Sequence, residues 1–119
     1  MSDNQDLLLR TKKYALRIIR LYVALPKTTE AQVLGKQVLR SGTSIGAHYR
    51  EANRAKSDAD FIHKIETALQ ELDETAYWLE LIIEAEIFNE TKVSPLINET
   101  KELNAILTTI VKKVKAKKK

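Results

Sequence analysis

QVLRSGTSIGAHYREANRAKSDADFIHKIETALQELDETAYWLELII, residues 37–83, decides the fold. Two apolar seams in four-three alternation meet in it. One passes through Leu34, Val38, Ser41, Ile45, His48 and Ala52. The other passes through Phe61, Ile65, Ala68, Leu72, Ala76, Leu79 and Ile83, widened by Ile62, Leu69 and Ile82. That period belongs to helices that bury one face. Between them, Asn53 to Lys56 is polar, and Ser57 followed by Asp58 and Asp60 reads as a capped helix start with acids against the positive dipole end. The stretch is therefore a helical hairpin. Gly42 and Gly46 cost a helix up to about 1 kcal/mol each relative to alanine. Close approach of another backbone is the favoured reason for keeping them. A break at Ser41-Gly42-Thr43-Ser44 competes with it.

Upstream, Leu8, Ala15, Ile18, Ile19, Tyr22 and Leu25 predict a helix over about 6–25, ended by Pro26. Thr29 with Gln32 fits a capping box for the second helix, about 30–53. The third helix covers about 57–87. Downstream, Ser94 as cap and Pro95 in the first helical position predict a fourth over about 94–115, with Leu96, Thr100, Leu103, Leu107, Ile110 and Val114 inward. A basic tail, residues 112–119, closes the chain. Four amphipathic helices with short links make one all-α domain, residues 1–119, an antiparallel up-down-up-down four-helix bundle.

Composition bounds the chemistry. The 119 residues include no cysteine, so disulfides and thiolate nucleophiles are excluded and a reducing cytoplasm is the expected location. MSDNQDLLLR does not read as a signal peptide, and no apolar run approaches the ~20 residues that cross a bilayer. Net charge is +4, unevenly spread: residues 1–60 carry 11 Lys or Arg against 6 Asp or Glu, residues 61–119 carry 9 against 10. Such asymmetry points to polyanions, or to contact between unlike faces of neighbouring subunits.

Arg10, Lys13, Arg17 and Arg20 follow helical spacing and form a basic stripe. It reads as a solvated face or as a phosphate-tracking surface, joined in the second case by Lys112, Lys113 and Lys115. Arg40, Arg50 and Arg54 oppose the nine acids of residues 58–86, suggesting pairing within the hairpin or between subunits. His48-x-x-Glu51 and Asp60-x-x-His63 lie symmetrically about the hairpin turn. Bridged di-metal bundles instead use Glu-x-x-His with inward carboxylates from the other helices, so no metal and no cofactor are expected. Glu71 and Glu74 beside Tyr77 and Trp78 lack the water-excluding cleft that acid–base work needs. No serine has a plausible histidine partner, so the expectation is a protein that is not an enzyme.

Leu-Arg-Ser-Gly-Thr-Ser-Ile-Gly-Ala at residues 39–47, Glu51-Ala52, Asp60-Phe61-Ile62-His63-Lys64, Ala68-Leu69, Glu71-Leu72, Glu74-Thr75 and Tyr77-Trp78-Leu79 resemble the four-helix-bundle proteins of the bacterial 23S ribosomal RNA intervening-sequence family. The accessory variability determinant proteins of diversity-generating retroelements are similar. The resemblance implies a homopentamer, a basic surface for RNA or DNA and, on the retroelement side, a reverse-transcriptase partner; it implies no established enzymatic activity. The motif positions it carries over are Arg40, Ser44, Gly46, Glu51, Glu71 and Glu74, where packing and subunit contact stand beside ligand binding. Gly42 and Arg54 join them as a candidate assembly surface. His48 stands where the family often shows Asn. The two functional readings are a nucleic-acid-binding accessory protein and a scaffold that meets a basic partner through its acidic third helix.

Overall fold

A computed structural model describes residues 3–117; the last two lysines of the tail, Lys118 and Lys119, lie outside the described residues. Four helices follow one another: α1 Asp3–Ala24, α2 Thr29–Ala52, α3 Asp58–Glu84 and α4 Glu90–Ala116. Among the described residues there is no strand. Each helix packs on its sequence neighbours, and α1 closes the ring against α4. The directions follow from the cross-links. Gly35 meets Leu25 while Gly46 meets Thr11. Lys64 reaches Glu51 while Arg40 reaches Glu74. Asn104 reaches Asp73 while Lys115 reaches Glu66. In each pair one residue number rises as the other falls, so sequential neighbours run antiparallel.

The helices begin where side chains satisfy end amides. Ser57 Oγ accepts from the Asp60 amide at 3.0 Å, as the sequence predicts. The second cap is Thr28 rather than Thr29: its hydroxyl accepts from the Ala31 amide. Gln32, expected in the capping box, instead donates to the Pro26 carbonyl and accepts from the Tyr22 hydroxyl, so it staples the α1–α2 turn. The fourth helix starts at Glu90, four residues before the expected position. Asn89 Oδ1 accepts from both the amide and the hydroxyl of Thr91, a stronger start than Ser94 could offer. Pro95 consequently lies inside α4 and removes one amide donor near its beginning. The third helix stops at Glu84, short of 87. Glu86 turns left-handed with φ 57°, and its amide and that of Ile87 bond back to Ile83 and Ile82. This is a Schellman closure with Glu where Gly is usual.

The core differs from the predicted stripe on α1 by one helical position. Leu7, Thr11, Tyr14, Ile18, Leu21 and Leu25 are buried, whereas Ile19 is 41% exposed and Leu8, Ala15 and Tyr22 lie at the rim. On α2 the buried line is Ala31, Gly35, Val38, Ser41, Gly42, Ile45, Tyr49 and Ala52, so Leu34 and His48 move to its edge. On α3, Ile82 is buried as expected and Thr75 is buried as well, while Ala76 and Ile83 lie at the edge; on α4, Val111 replaces Ile110. α2 is continuous through Gly42. A Cβ there would stand 2.8 Å from Ile18 Cγ1, so the α1–α2 approach requires the missing side chain.

Buried hydroxyls knit two seams. Ser41 Oγ and Thr75 Oγ1 are 2.7 Å apart across α2–α3, and the Tyr14 hydroxyl bonds Thr100 across α1–α4. A slip of one turn would leave the Tyr14 hydroxyl unpaired in the core, at about 1–3 kcal/mol, whereas Ser41, Thr75 and Thr100 would keep their bonds to carbonyls of their own helices. Tyr14 therefore contributes most to fixing which layers face each other.

Candidate nucleic-acid interface

The basic stripe of α1 is divided by its surroundings. Arg10 faces α4: Nε donates to Glu99 Oε2 at 2.6 Å, Nη2 to Glu99 Oε1 at 2.8 Å, and Nη2 also to Glu102 Oε1 at 2.6 Å. Its hydrogen bonds to Glu99 are the main force driving the guanidinium pKa above its usual value. Its Nε and Nη2 donors are engaged inside the molecule, so a phosphate at Arg10 would have to compete with two carboxylates. Lys13 is exposed. Arg17 and Arg20, one and two turns further, line a groove between α1 and the start of α4. Antiparallel packing of α1 on α4 brings Lys92 and Phe88 into the same groove. No Asp or Glu lines it.

The tail lysines are likewise not equivalent. Lys115 Nζ lies 3.1 Å from Glu66 Oε2 on α3. Lys113 lines a second groove with Arg10, Asp6 and Ile106 at the opposite end of the α1–α4 seam, and Lys112 is exposed. The structure thus brings Arg17 and Arg20 together but places neither Lys112, Lys113 nor Lys115 in their groove. Lys92 and Phe88 were not singled out from the sequence. Their place depends on how the α3–α4 turn folds back over α1, and no local pattern signals it.

The α2–α3 hairpin carries a chain of ion pairs and hydrogen bonds. Arg40 Nη2 is 2.6 Å from Glu74 Oε1 and its Nη1 3.3 Å from Glu71 Oε1. His48 spans Glu71 and Glu51, with Nε2 3.9 Å from the first and Nδ1 3.4 Å from the second. Lys64 Nζ then meets Glu51 at 3.3 Å. The Glu51 carboxyl is held below the usual carboxylate range, first by His48 and then by Lys64. Ser44 donates back to the Arg40 carbonyl. Of the motif residues, Arg40, Glu51, Glu71 and Glu74 therefore share one network. Gly42 and Gly46 face α1 instead, and Arg54 stands exposed near the hairpin turn. His63 is exposed on α3. Among the described residues no group of three or more His, Cys, Asp or Glu side chains is placed to hold a metal ion, and no helix is long and apolar enough to cross a membrane. What the geometry offers is electrostatic: a self-neutralised α2–α3 face, and an unneutralised groove on α1–α4.

The model of a family described as 23S rRNA-intervening sequence protein matches residues 4–109. A crystal structure from Bacteroides thetaiotaomicron, of a protein described as having unknown function and coming from the S23 ribosomal protein family, is similar to this chain at 41% identity and a TM-score of 0.87. The similarity covers 93% of this chain and 99% of that one. The comparison with curated proteins gave no match.

Proposed function

This chain belongs to the 23S rRNA-intervening sequence protein family, and on that premise we propose that it is a non-enzymatic, oligomeric accessory protein that binds structured RNA or DNA through basic surfaces. The observation that carries the reading is the groove of Arg17, Arg20 and Lys92, three cations with no carboxylate in its lining. Four cations outside this groove, Arg10, Arg40, Lys64 and Lys115, each reach a carboxylate. Positive charge left uncompensated on one side of a bundle attracts polyanions, and each phosphate neutralised releases counterions. Self-association would repeat this groove around an assembly and multiply its effective concentration toward a long ligand.

The test is binding of the full chain to a folded RNA over a range of salt concentrations. Affinity should fall steeply with salt, and Arg17→Ala with Arg20→Ala should weaken binding and flatten the slope. A flat salt dependence in the wild type, or unchanged binding by the double variant, would sink the reading.

A second reading is a scaffold that holds a basic protein, a reverse transcriptase on the retroelement resemblance. It is favoured by the exposed acids Asp73, Glu80 and Glu84 of α3 beside Tyr77, which is 55% exposed. Capture of a basic partner that Glu80→Lys with Glu84→Lys abolishes, with no affinity for RNA, would favour it over the first.

A further inference from the structure

We propose that the groove between α1 and the start of α4 binds one unpaired nucleotide of a folded nucleic acid, with Arg17, Arg20 and Lys92 taking its phosphates and Phe88 taking its base. The inference rests on the nucleic-acid reading and narrows it from any phosphate backbone to a single-stranded element.

Three features of the groove point the same way. Its cations sit together without an acid, so they repel one another until an anion arrives. Lys92 is the third residue of α4, where the helix dipole is positive and a lysine is disfavoured. The same dipole that penalises Lys92 adds to the attraction for a phosphate. Finally, the groove, about 270 Å³, is also lined by apolar side chains: half-buried Phe88, with buried Leu21 and Leu96. A duplex presents phosphates and sugar hydroxyls to a protein surface, and these gain nothing from an apolar lining. An unpaired base has a π-face that stacks on an aromatic ring while its own phosphates remain free to meet cations. Cations and an aromatic ring in one groove together match a nucleotide better than they match either half of one.

The full chain should be titrated with an RNA hairpin carrying an unpaired loop and with a blunt RNA duplex of equal phosphate number, and in parallel with the DNA counterparts. The hairpin should bind about tenfold tighter than the duplex. Phe88→Leu should erase that preference while leaving duplex binding in place. Lys92→Ala, at an exposed position that does not threaten folding, should weaken hairpin binding and reduce the salt slope by about 0.7. Preference in RNA alone, or in DNA alone, identifies which nucleic acid the groove accepts and supports the proposal. Equal affinity for hairpin and duplex, or a preference that survives Phe88→Leu, overturns it while the broader nucleic-acid reading stands. A poly-glutamate peptide that competes in a Phe88-dependent way also overturns it, in favour of an acidic protein ligand. If neither hairpin nor duplex binds, both readings fall.

Discussion

Arg10 on α1 holds two carboxylates on α4 at once, its Nε 2.6 Å from Glu99 Oε2 and its Nη2 2.6 Å from Glu102 Oε1. The pair joins the first helix to the last across 89 residues of chain, at the seam that closes the bundle. Glu102 is mostly exposed, so its share is small. Glu99 is only 16% exposed, and removing Arg10 would leave its charge half-buried without a partner.

Arg10→Ala should therefore act on stability. A loss of about 1–3 kcal/mol is expected by chemical denaturation. The Arg10→Ala, Glu99→Ala double variant should lose less than the sum of the singles. Nucleic-acid affinity should change far less than in Arg17→Ala. A stable Arg10→Ala variant with strongly reduced affinity would mean that Arg10 faces a ligand in solution.

Gly42 makes a second stability prediction. A methyl group at this position would meet Ile18 Cγ1 at 2.8 Å and Cγ2 at 2.9 Å, and Ile18 is fully buried. At Gly46 the nearest atom, Thr11 Oγ1, is 3.2 Å away. Alanine gains up to about 1 kcal/mol of helix propensity at either site. At Gly46 that gain should roughly cancel the crowding. At Gly42 the clash with a branched core side chain should win, giving a net loss of about 1–3 kcal/mol. Thermal melts that rank Gly42→Ala as stable as Gly46→Ala would show that α1 and α2 separate more easily than their packing implies.

The fold was legible because its signals are local. Pro26 and Ser57 act on their immediate neighbours, and α1 ends and α3 begins beside them. The phase of α1 was not legible. Leu7, Leu8 and Leu9 offer three adjacent phases, and Ile18 and Ile19 offer two. The choice falls to Thr11 and Tyr14: the Thr11 hydroxyl is satisfied within α1 by the Leu7 carbonyl, whereas the Tyr14 hydroxyl finds its partner, Thr100, only once α4 packs on α1. The candidate site divides along the same line. Arg40 with Glu71 and Glu74 could be read as a hairpin set, because four-three spacing places them on facing sides of one turn of chain. Arg10 with Glu99, and Arg17 with Lys92 and Phe88, could not, because they meet only when α4 returns to α1.

Tyr14 predicts a dependence on pH. Burial is the main cause that pushes its hydroxyl up to about 12, partly opposed by the bond with Thr100. The ordinary value of about 10 applies to the unfolded chain. Between these two values the unfolded protein has lost the proton while the folded protein keeps it. Fewer protons on the unfolded side make stability fall as pH rises. The contribution of neutral Tyr14 should thus be complete below pH about 10 and decline toward pH about 12, by at most about 2–3 kcal/mol. Tyr14→Phe cannot ionise. It should lose about 1 kcal/mol at neutral pH through the missing hydrogen bond, and its stability should fall less steeply than the wild type above pH about 10. Parallel alkaline denaturation curves for the two proteins would rule out Tyr14 as the titrating group.

The outer face of α1 carries the prediction about assembly. Leu9, Leu16 and Val23, spaced by seven, are 53%, 41% and 66% exposed, and Ile19, between the last two, is 41% exposed. Exposed Lys12 occupies the remaining position of the same line. Heptad spacing sets these side chains along one ridge, turned away from the buried line of Leu7, Tyr14, Ile18 and Leu21. The bundle needs only one apolar seam on α1, and a second that points to solvent is the pattern of a helix with another partner. A second copy of the chain suits it, since the basic α1 side of one copy can meet the acidic α3 side of the next. Leu16→Glu with Val23→Glu should lower the mass measured by sedimentation equilibrium to that of one 13.6 kDa chain. Neither residue belongs to the core, so helical content and melting temperature of the dispersed monomer should change little beyond the loss of intersubunit contacts. A wild type that already sediments as a single chain, or a double variant that keeps the wild-type mass, would remove α1 from the assembly surface.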